Sequence, residues 1–150
     1  MRPDLEITAL DSTSKKIDFV QKSAEILQLS NLKGVSGRAE DTKLRKSLGK
    51  YDIVVSRAVA RLNVLCELCI PYLKVGGSLV ALKGAKYDEE LAEATNAIKI
   101  LGAETLKIEQ KELITTENQA ETRGMIVIQA KKEAPPQYPR AYAAILKKPL

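Results

Sequence analysis

Two basic side chains follow apolar runs that predict strands. Arg57 comes directly after the run Ile53-Val54-Val55-Ser56, and Lys83 follows the apolar residues 79–82. The unbroken run before Arg57 predicts a strand buried on both faces. Open α/β sheets bind ligands at the carboxyl ends of their strands, so a cation placed there can meet an anion. The alternative is an arginine that simply leaves the core toward solvent.

An acidic side chain ends an earlier predicted strand. Asp11 follows the weakly alternating residues 5–10, and Ser12 and Thr13 come next. A carboxylate at that position can accept hydrogen bonds from both hydroxyls of a ribose. It suits the N-cap of the following helix equally well, and the sequence leaves both interpretations open.

A second candidate for nucleotide contact lies in the loop after the next predicted strand, residues 32–36. Ala39 and Glu40 occupy the part of the loop where an adenine would rest in a nucleotide-binding α/β fold. Glu40 and Asp41 also suit a helix N-terminus without any ligand, because carboxylates are favourable there.

The elements that would position these residues alternate along the chain. Apolar stripes predict helices containing Ile17, Val20, Ala24 and Leu27, then Leu44 and Leu48, then residues 62–72, then residues 91–101. Residues 73–77 predict a turn before the strand at 78–82. Strands at about 105–113 and 125–130 predict a closing antiparallel pair. The resulting order predicts a doubly wound α/β domain with an antiparallel edge.

The excess of positive charge lies near the C-terminus. The formal net charge is +5, and residues 131–150 hold five basic side chains against one acidic one. Pro135 and Pro136 lie within this stretch and begin the predicted tail, which gives a domain over 1–134 and an extended basic tail over 135–150. Such a tail indicates an anionic partner, although a solvated basic terminus is the common alternative.

Several classes of chemistry are excluded by composition. The chain has no histidine, which removes serine–histidine and cysteine–histidine catalysis. Cys66 and Cys69 form a lone C-x-x-C in a segment of helical periodicity, so we predict buried thiols and no metal site. Neither a membrane-length apolar run nor an apolar signal region is found, and we predict a cytoplasmic protein without membrane contact.

Six motifs occur in one order along the chain. They are Leu10-Asp11-Ser12, Gly37-Arg38-Ala39-Glu40-Asp41, the segment from Tyr51 to Ala60 with Ser56-Arg57-Ala58 inside it, Leu73-Lys74-Val75-Gly76-Gly77, Leu82-Lys83-Gly84, and Tyr138-Pro139-Arg140. Together they resemble the small-subunit ribosomal RNA methyltransferase family called glucose-inhibited division protein B. The resemblance runs from about Arg2 to Leu150.

The resemblance implies a class I, Rossmann-like enzyme that transfers a methyl group from S-adenosyl-L-methionine to N7 of a guanine in the 530 loop of 16S rRNA. It implies that Asp11, Ser12 and Thr13 border the cofactor ribose and that Ala39 and Glu40 border the adenine. Arg57 would be the catalytic residue, at the junction of cofactor and target. The residues that would face the RNA or the small ribosomal subunit are Lys83, Arg123, Arg140, Lys147 and Lys148.

This sequence also departs from the family pattern. Family members begin with a helical region, a first strand and a glycine-rich turn, and none of these precedes Leu5 here. We therefore expect an N-terminally truncated chain that lacks the strand between those at residues 5–10 and 51–57, and that binds the cofactor weakly or not at all alone. An inactive α/β module that binds RNA or protein is the alternative function, and an unrelated nucleotide-binding domain is a third.

Overall fold

The first compact unit of the chain contains two strands and two helices. The computed structural model describes residues 2–114 and 120–150, and the chain divides into units Met1–Leu48 and Gly49–Leu150. This division differs from the predicted one at residue 134. The elements of the first unit are β1 (Ile7–Asp11), α1 (Ser14–Ile26), β2 (Leu32–Ser36) and α2 (Thr42–Leu48). Strands β1 and β2 are parallel, with Asp11 opposite Ser36.

Helix α1 packs part of its predicted apolar stripe. Ile17 and Ala24 are buried, whereas Leu27 lies beyond the helix and is 60% exposed. The stripe stops early because the chain turns at Gln28, whose φ of 54° ends the helix. The helix approaches β2 so closely at Gly34 that a Cβ there would lie 2.9 Å from Ile17 Cγ2. Glycine is therefore required at this position for α1 to pack on the strand pair.

The second unit is a four-stranded sheet with the order β3-β4-β6-β5. Its strands are β3 (Tyr51–Arg57), β4 (Leu73–Lys83), β5 (Ala103–Ile114) and β6 (Ala120–Ala130). Its helices are α3 (Leu62–Cys69), a 3-10 turn (Ile70–Tyr72), α4 (Tyr87–Ile100) and α5 (Tyr142–Lys147). The pairing is parallel between β3 and β4 and antiparallel elsewhere, which confirms the predicted closing pair. The predicted turn at 73–77 is instead part of β4. Among the described helices, none has the length and apolarity needed to cross a membrane.

One face of this sheet forms the core. Alternate residues of β4 and β6 point toward helices α3 and α4, as the period of two in a strand requires. The buried set comprises Leu79, Ala81, Ile126 and Ile128 from the strands and Leu62, Leu65, Ala94, Ala97 and Ile98 from the helices. The packing of this face against α3 and α4 holds the sheet in place. It thereby determines where β3, β4 and β6 present their polar residues.

The prediction that β3 is buried on both faces is wrong. Ile53 is 61% exposed and Val55 is 64% exposed, whereas Ser56 is buried and Val54 is half-buried. Ile53 and Val55 point to one face of the strand and Val54 and Ser56 to the other, so one face of β3 is largely open. Within the described residues, β3 pairs only with β4, and β1 pairs only with β2.

The C-terminal residues do not follow the predicted extended surface path. They form α5, in which Ile145 is fully buried, and Leu150 packs against the core cluster. The segment packs on the unit because it contains apolar side chains such as Ile145, whose removal from water is favourable. The predicted tail is thus an integral part of the second unit.

Candidate functional site

The first unit places Asp11 at the carboxyl end of β1. Its Oδ1 accepts a hydrogen bond from the backbone N–H of Thr13 at 2.8 Å, and its Oδ2 accepts one from Lys16 Nζ at 3.2 Å. The Thr13 N–H is the largest cause that holds the pKa of Asp11 below its usual range. The N-cap of α1 is Thr13 rather than Asp11. A carboxylate has about four acceptor positions, so Asp11 keeps capacity for further hydroxyl donors.

Other predicted nucleotide-site residues lie in the same unit. Ser12 and Thr13 are exposed beside Asp11, and β2 leads into the loop that holds Ala39 and Glu40. The Glu40 side chain is 14% exposed and forms an ion pair with Arg38. The N-terminus of α2 is instead capped by Asp41, whose Oδ1 accepts hydrogen bonds from the N–H groups of residues 43 and 44. Glu40 therefore does not serve as the helix cap that the sequence allowed.

The second unit contains a cavity of about 1000 Å³ at the carboxyl ends of β3 and β4, beside the antiparallel pair of β5 and β6. Its basic lining residues are Arg57, Arg61, Lys83, Lys111 and Arg123, and its acidic ones are Glu90 and Glu109. The structure thus gathers three residues predicted from the sequence in one cavity, namely Arg57, Lys83 and Arg123. Lys147 and Lys148 are exposed in and after α5 and do not line it.

Three of the basic side chains in the cavity are held by carboxylates of the chain. Arg61 donates hydrogen bonds from Nε at 3.0 Å and from Nη2 at 2.6 Å to Glu93. Lys83 Nζ lies 2.7 Å from Glu90 Oε2, and Arg123 pairs with Glu121. Because these charges are already matched, they contribute less to the attraction of an external anion.

The two remaining cations are Arg57 and Lys111. Neither side chain has a hydrogen bond or ion pair within the described residues, although the positive charge of Lys111 helps to lower the pKa of Glu109. Lys111 stands directly opposite Arg123 on the β5–β6 pair, so two like charges share one face of the sheet. Sequence reasoning missed Lys111, because neither the chain's alternation of charges nor a motif singles it out. The register of β5 on β6 could have identified Lys111, because it places this residue opposite Arg123.

Two predicted RNA-facing residues are held by carboxylates of the chain. The Lys83 side chain is 6% exposed and its ammonium donates a hydrogen bond to the Ala60 carbonyl. The Arg140 side chain is 27% exposed and is bonded to Glu67. These positions do not match a surface that meets RNA, and the RNA contacts of Lys83 and Arg140 stay predictions.

Several solved structures of similar fold are methyltransferases. A putative methyltransferase from Thermoplasma acidophilum matches with a TM-score of 0.64 at 11% identity, over 83% of this chain and 57% of that one. A SAM-dependent methyltransferase from Methanosarcina mazei matches with a TM-score of 0.62 at 14% identity, over 84% and 82% of the chains. The fold is that of the class I S-adenosylmethionine-dependent methyltransferases.

Sequence comparison narrows this class to one family. The GidB model, described as rRNA small subunit methyltransferase G, matches residues 1–119, and the chain belongs to this family. The ribosomal RNA small subunit methyltransferase G of Brevibacillus brevis is 45% identical over 99% of the chain. The protein of the same name from Clostridium beijerinckii is 42% identical over the whole chain. The chain spans 61% and 62% of the lengths of these two relatives.

Proposed function

We propose that the protein binds 16S rRNA and takes part in the transfer of a methyl group from S-adenosyl-L-methionine to N7 of a guanine. Membership of the family and the names of its relatives support this proposal. The observation that carries it is the cavity of the second unit, where the side chains of Arg57 and Lys111 have no hydrogen bond or ion pair in the described part of the chain. Cations in a cavity that no carboxylate holds favour a ligand that carries phosphates.

The reaction suits a chain without histidine. Guanine N7 has a lone pair and no proton, so its methylation needs no general base and positioning supplies most of the acceleration. Methylation makes the guanine cationic, and a guanidinium against the base would oppose that charge. We therefore assign Arg57 to a phosphate beside the target guanine, with Lys111 binding a second phosphate. An Arg fork matches phosphate geometry through two parallel hydrogen bonds.

An acidic residue of the cavity complements these cations. Glu109 lines the cavity, and the hydrogen bond from Lys107 is the largest cause that lowers its pKa. Glu109 therefore stays ionised at neutral pH. A carboxylate near the guanine stabilises the positive charge that methylation creates on the base.

The first unit fits the adenosine part of the cofactor. The acceptor positions left on Asp11 suit the two ribose hydroxyls, with Ser12 and Thr13 beside them, and Ala39 and Glu40 follow β2 at the same ends of the strands. S-adenosyl-L-methionine, when bound, supplies an electrophilic methyl group. The residues of this chain hold and orient the adenosine.

RNA binding tests the proposal directly. The affinity of the chain for a 16S rRNA fragment with the target loop is measured by fluorescence anisotropy over a range of salt. The logarithm of the affinity falls linearly with the logarithm of the salt concentration, and removal of one phosphate contact makes this salt slope shallower by about 0.7. Arg57→Ala and Lys111→Ala should each show that change together with weaker binding. Lys99→Ala, on the exposed side of α4 away from the cavity, is the matched control. An unchanged slope in both cavity variants contradicts the assignment.

A methylation assay separates the enzyme from an inactive module. The chain is incubated with labelled S-adenosyl-L-methionine and 16S rRNA from a strain that lacks the family enzyme. Label on the target guanine, lost in Arg57→Ala, supports the activity. RNA binding without label, together with calorimetry that shows no cofactor binding, supports the alternative of an inactive RNA-binding module. Tight cofactor binding by the chain alone contradicts our expectation that it binds weakly.

A further inference from the structure

We propose that Lys83 is a positioning residue for Arg57 rather than a ligand for RNA. This inference rests on the proposed function, because it concerns how the Arg57 site is built. Lys83 ends β4, and its buried ion pair with Glu90 of α4 holds the loop of residues 58–61, which joins Arg57 to α3.

The ion pair is bonded to the loop at two backbone atoms. Lys83 Nζ donates to the carbonyl of Ala60, and Glu90 Oε2 accepts from the N–H of Leu62 at 2.8 Å. The residue between them, Arg61, is held through its side chain by Glu93, one turn further along α4. Three consecutive residues, the last two of the loop and the first of α3, are therefore attached to side chains outside the loop.

Burial of the ion pair indicates that its contacts hold the loop in one conformation. Lys83 and Glu90 have side chains that are 6% and 18% exposed, so both charges have lost most of their hydration. Charges that are removed from water need matched partners and satisfied hydrogen bonds. The backbone of the loop supplies them, and the loop is fixed in return. The ammonium of Lys83 is thereby committed to two partners of the chain, the Ala60 carbonyl and the Glu90 carboxylate.

The loop also has a conformation that needs such support. Ala58, directly after Arg57, has a φ of 54°. A residue other than glycine rarely adopts this conformation, and it persists only where the surrounding structure enforces it. The Lys83–Glu90 pair attaches the loop two residues beyond Ala58. The direction in which β3 delivers Arg57 to the cavity therefore depends on this pair.

A paired substitution tests the attachment. The Lys83→Met/Glu90→Gln variant removes both charges together, so neither is left buried alone. Lys86→Met/Glu89→Gln is the matched control, because that neighbouring pair on the same segment is exposed. Hydrogen exchange of the backbone amides is measured in both. We expect exchange at residues 58–62 to become about tenfold faster in the first variant and to stay unchanged in the control.

Two outcomes decide this measurement. Unchanged exchange at residues 58–62 overturns the proposal. Faster exchange throughout β4 and β6 would indicate general loss of stability, and the acceleration at residues 58–62 is then compared with that in β4. A larger acceleration in the loop supports the proposal, and an equal one overturns it.

A double-mutant cycle on RNA affinity separates positioning from direct contact. If Lys83 acts through Arg57, the Lys83→Met/Glu90→Gln variant weakens RNA binding only while Arg57 is present, and not in an Arg57→Ala background. If Lys83 binds phosphate itself, the loss persists in that background, with a further decrease of about 0.7 in salt slope, and the proposal fails. Failure of every variant to bind RNA contradicts the proposed function, while the exchange measurement still decides the attachment of the loop.

Discussion

Glu67 and Arg140 are joined by three hydrogen bonds across 73 residues of sequence. Glu67 Oε1 accepts from the Arg140 backbone N–H at 2.9 Å and from Nε at 2.8 Å, and Oε2 accepts from Nη2 at 2.6 Å. Glu67 is fully buried in α3, and the Arg140 guanidinium also lies 5.9 Å from the centre of the Tyr138 ring. The pair attaches the C-terminal segment to the core of the second unit.

Loss of Arg140 should lower stability strongly. Arg140→Met leaves the fully buried Glu67 carboxylate without its cation, and removal of one partner of a buried pair costs about 3–5 kcal/mol. Glu67→Gln should be milder, because Arg140 is partly exposed and water can solvate its charge. Urea unfolding measures both variants. A free energy of unfolding equal to that of the wild type for Arg140→Met would contradict the structural role.

Two glycines of the cavity should respond differently to alanine. A Cβ on Gly124 would overlap the ring of Tyr87, which is buried and donates a hydrogen bond to Gln110 at 2.8 Å. We expect Gly124→Ala to lower the free energy of unfolding by about 1–3 kcal/mol, as overpacking does. Gly84→Ala is the matched control, because its Cβ meets nothing within 4 Å. Equal stabilities of the two variants in thermal unfolding would refute this packing argument.

Both thiols should be inert in the folded protein. Cys66 and Cys69 are free cysteines, and burial is the main cause that raises the pKa of each, to about 12 for Cys69. The thiolate is the reactive form, and at pH 8 a thiol with that pKa is ionised in roughly one molecule in ten thousand. Ellman's reagent should therefore react with both only after denaturant is added. Rapid reaction of either thiol in the native protein would be inconsistent with this environment.

Acid should weaken the start of α1 through Asp11. The folded-state pKa of Asp11 lies below its ordinary value, chiefly because the carboxylate accepts the Thr13 N–H. This contribution to stability is present above the unfolded-state pKa and is lost as the pH falls through the folded-state pKa. Titration of the Asp11 carboxyl carbon by NMR measures the shift. Lys16→Met should raise that pKa only partly, and full return to the ordinary value would show that Lys16, not Thr13, is the main cause.

The order of strands and helices follows from the apolar pattern, and this is why the sequence predicts a doubly wound α/β domain, whereas the class I fold was implied by the family resemblance. Continuous apolar runs marked β4 and β6, and spacings of three and four marked α1, α3 and α4. Arg57 and Lys83 could be found because each follows such a run. Their common cavity depends on parallel pairing of β3 and β4, which brings both strand ends to one edge.

Features that depend on distant partners could not be predicted. Nothing near Lys83 indicates that Glu90 and Ala60 would take its charge, and nothing near Arg140 indicates Glu67. The exposure of Ile53 also escapes sequence reasoning, because an apolar run shows the preference of a strand and not what covers it. Long-range hydrogen bonds and layer coverage are properties of the packed structure.

The uncovered face of β3 has a thermodynamic consequence. Full burial of a valine or isoleucine side chain contributes about 1.5–3 kcal/mol, and the exposure of Ile53 and Val55 withholds much of this from the second unit. Open apolar strands also attract one another, so the midpoint of unfolding should vary with protein concentration. The second unit is therefore less stable than it would be if a further layer covered Ile53 and Val55.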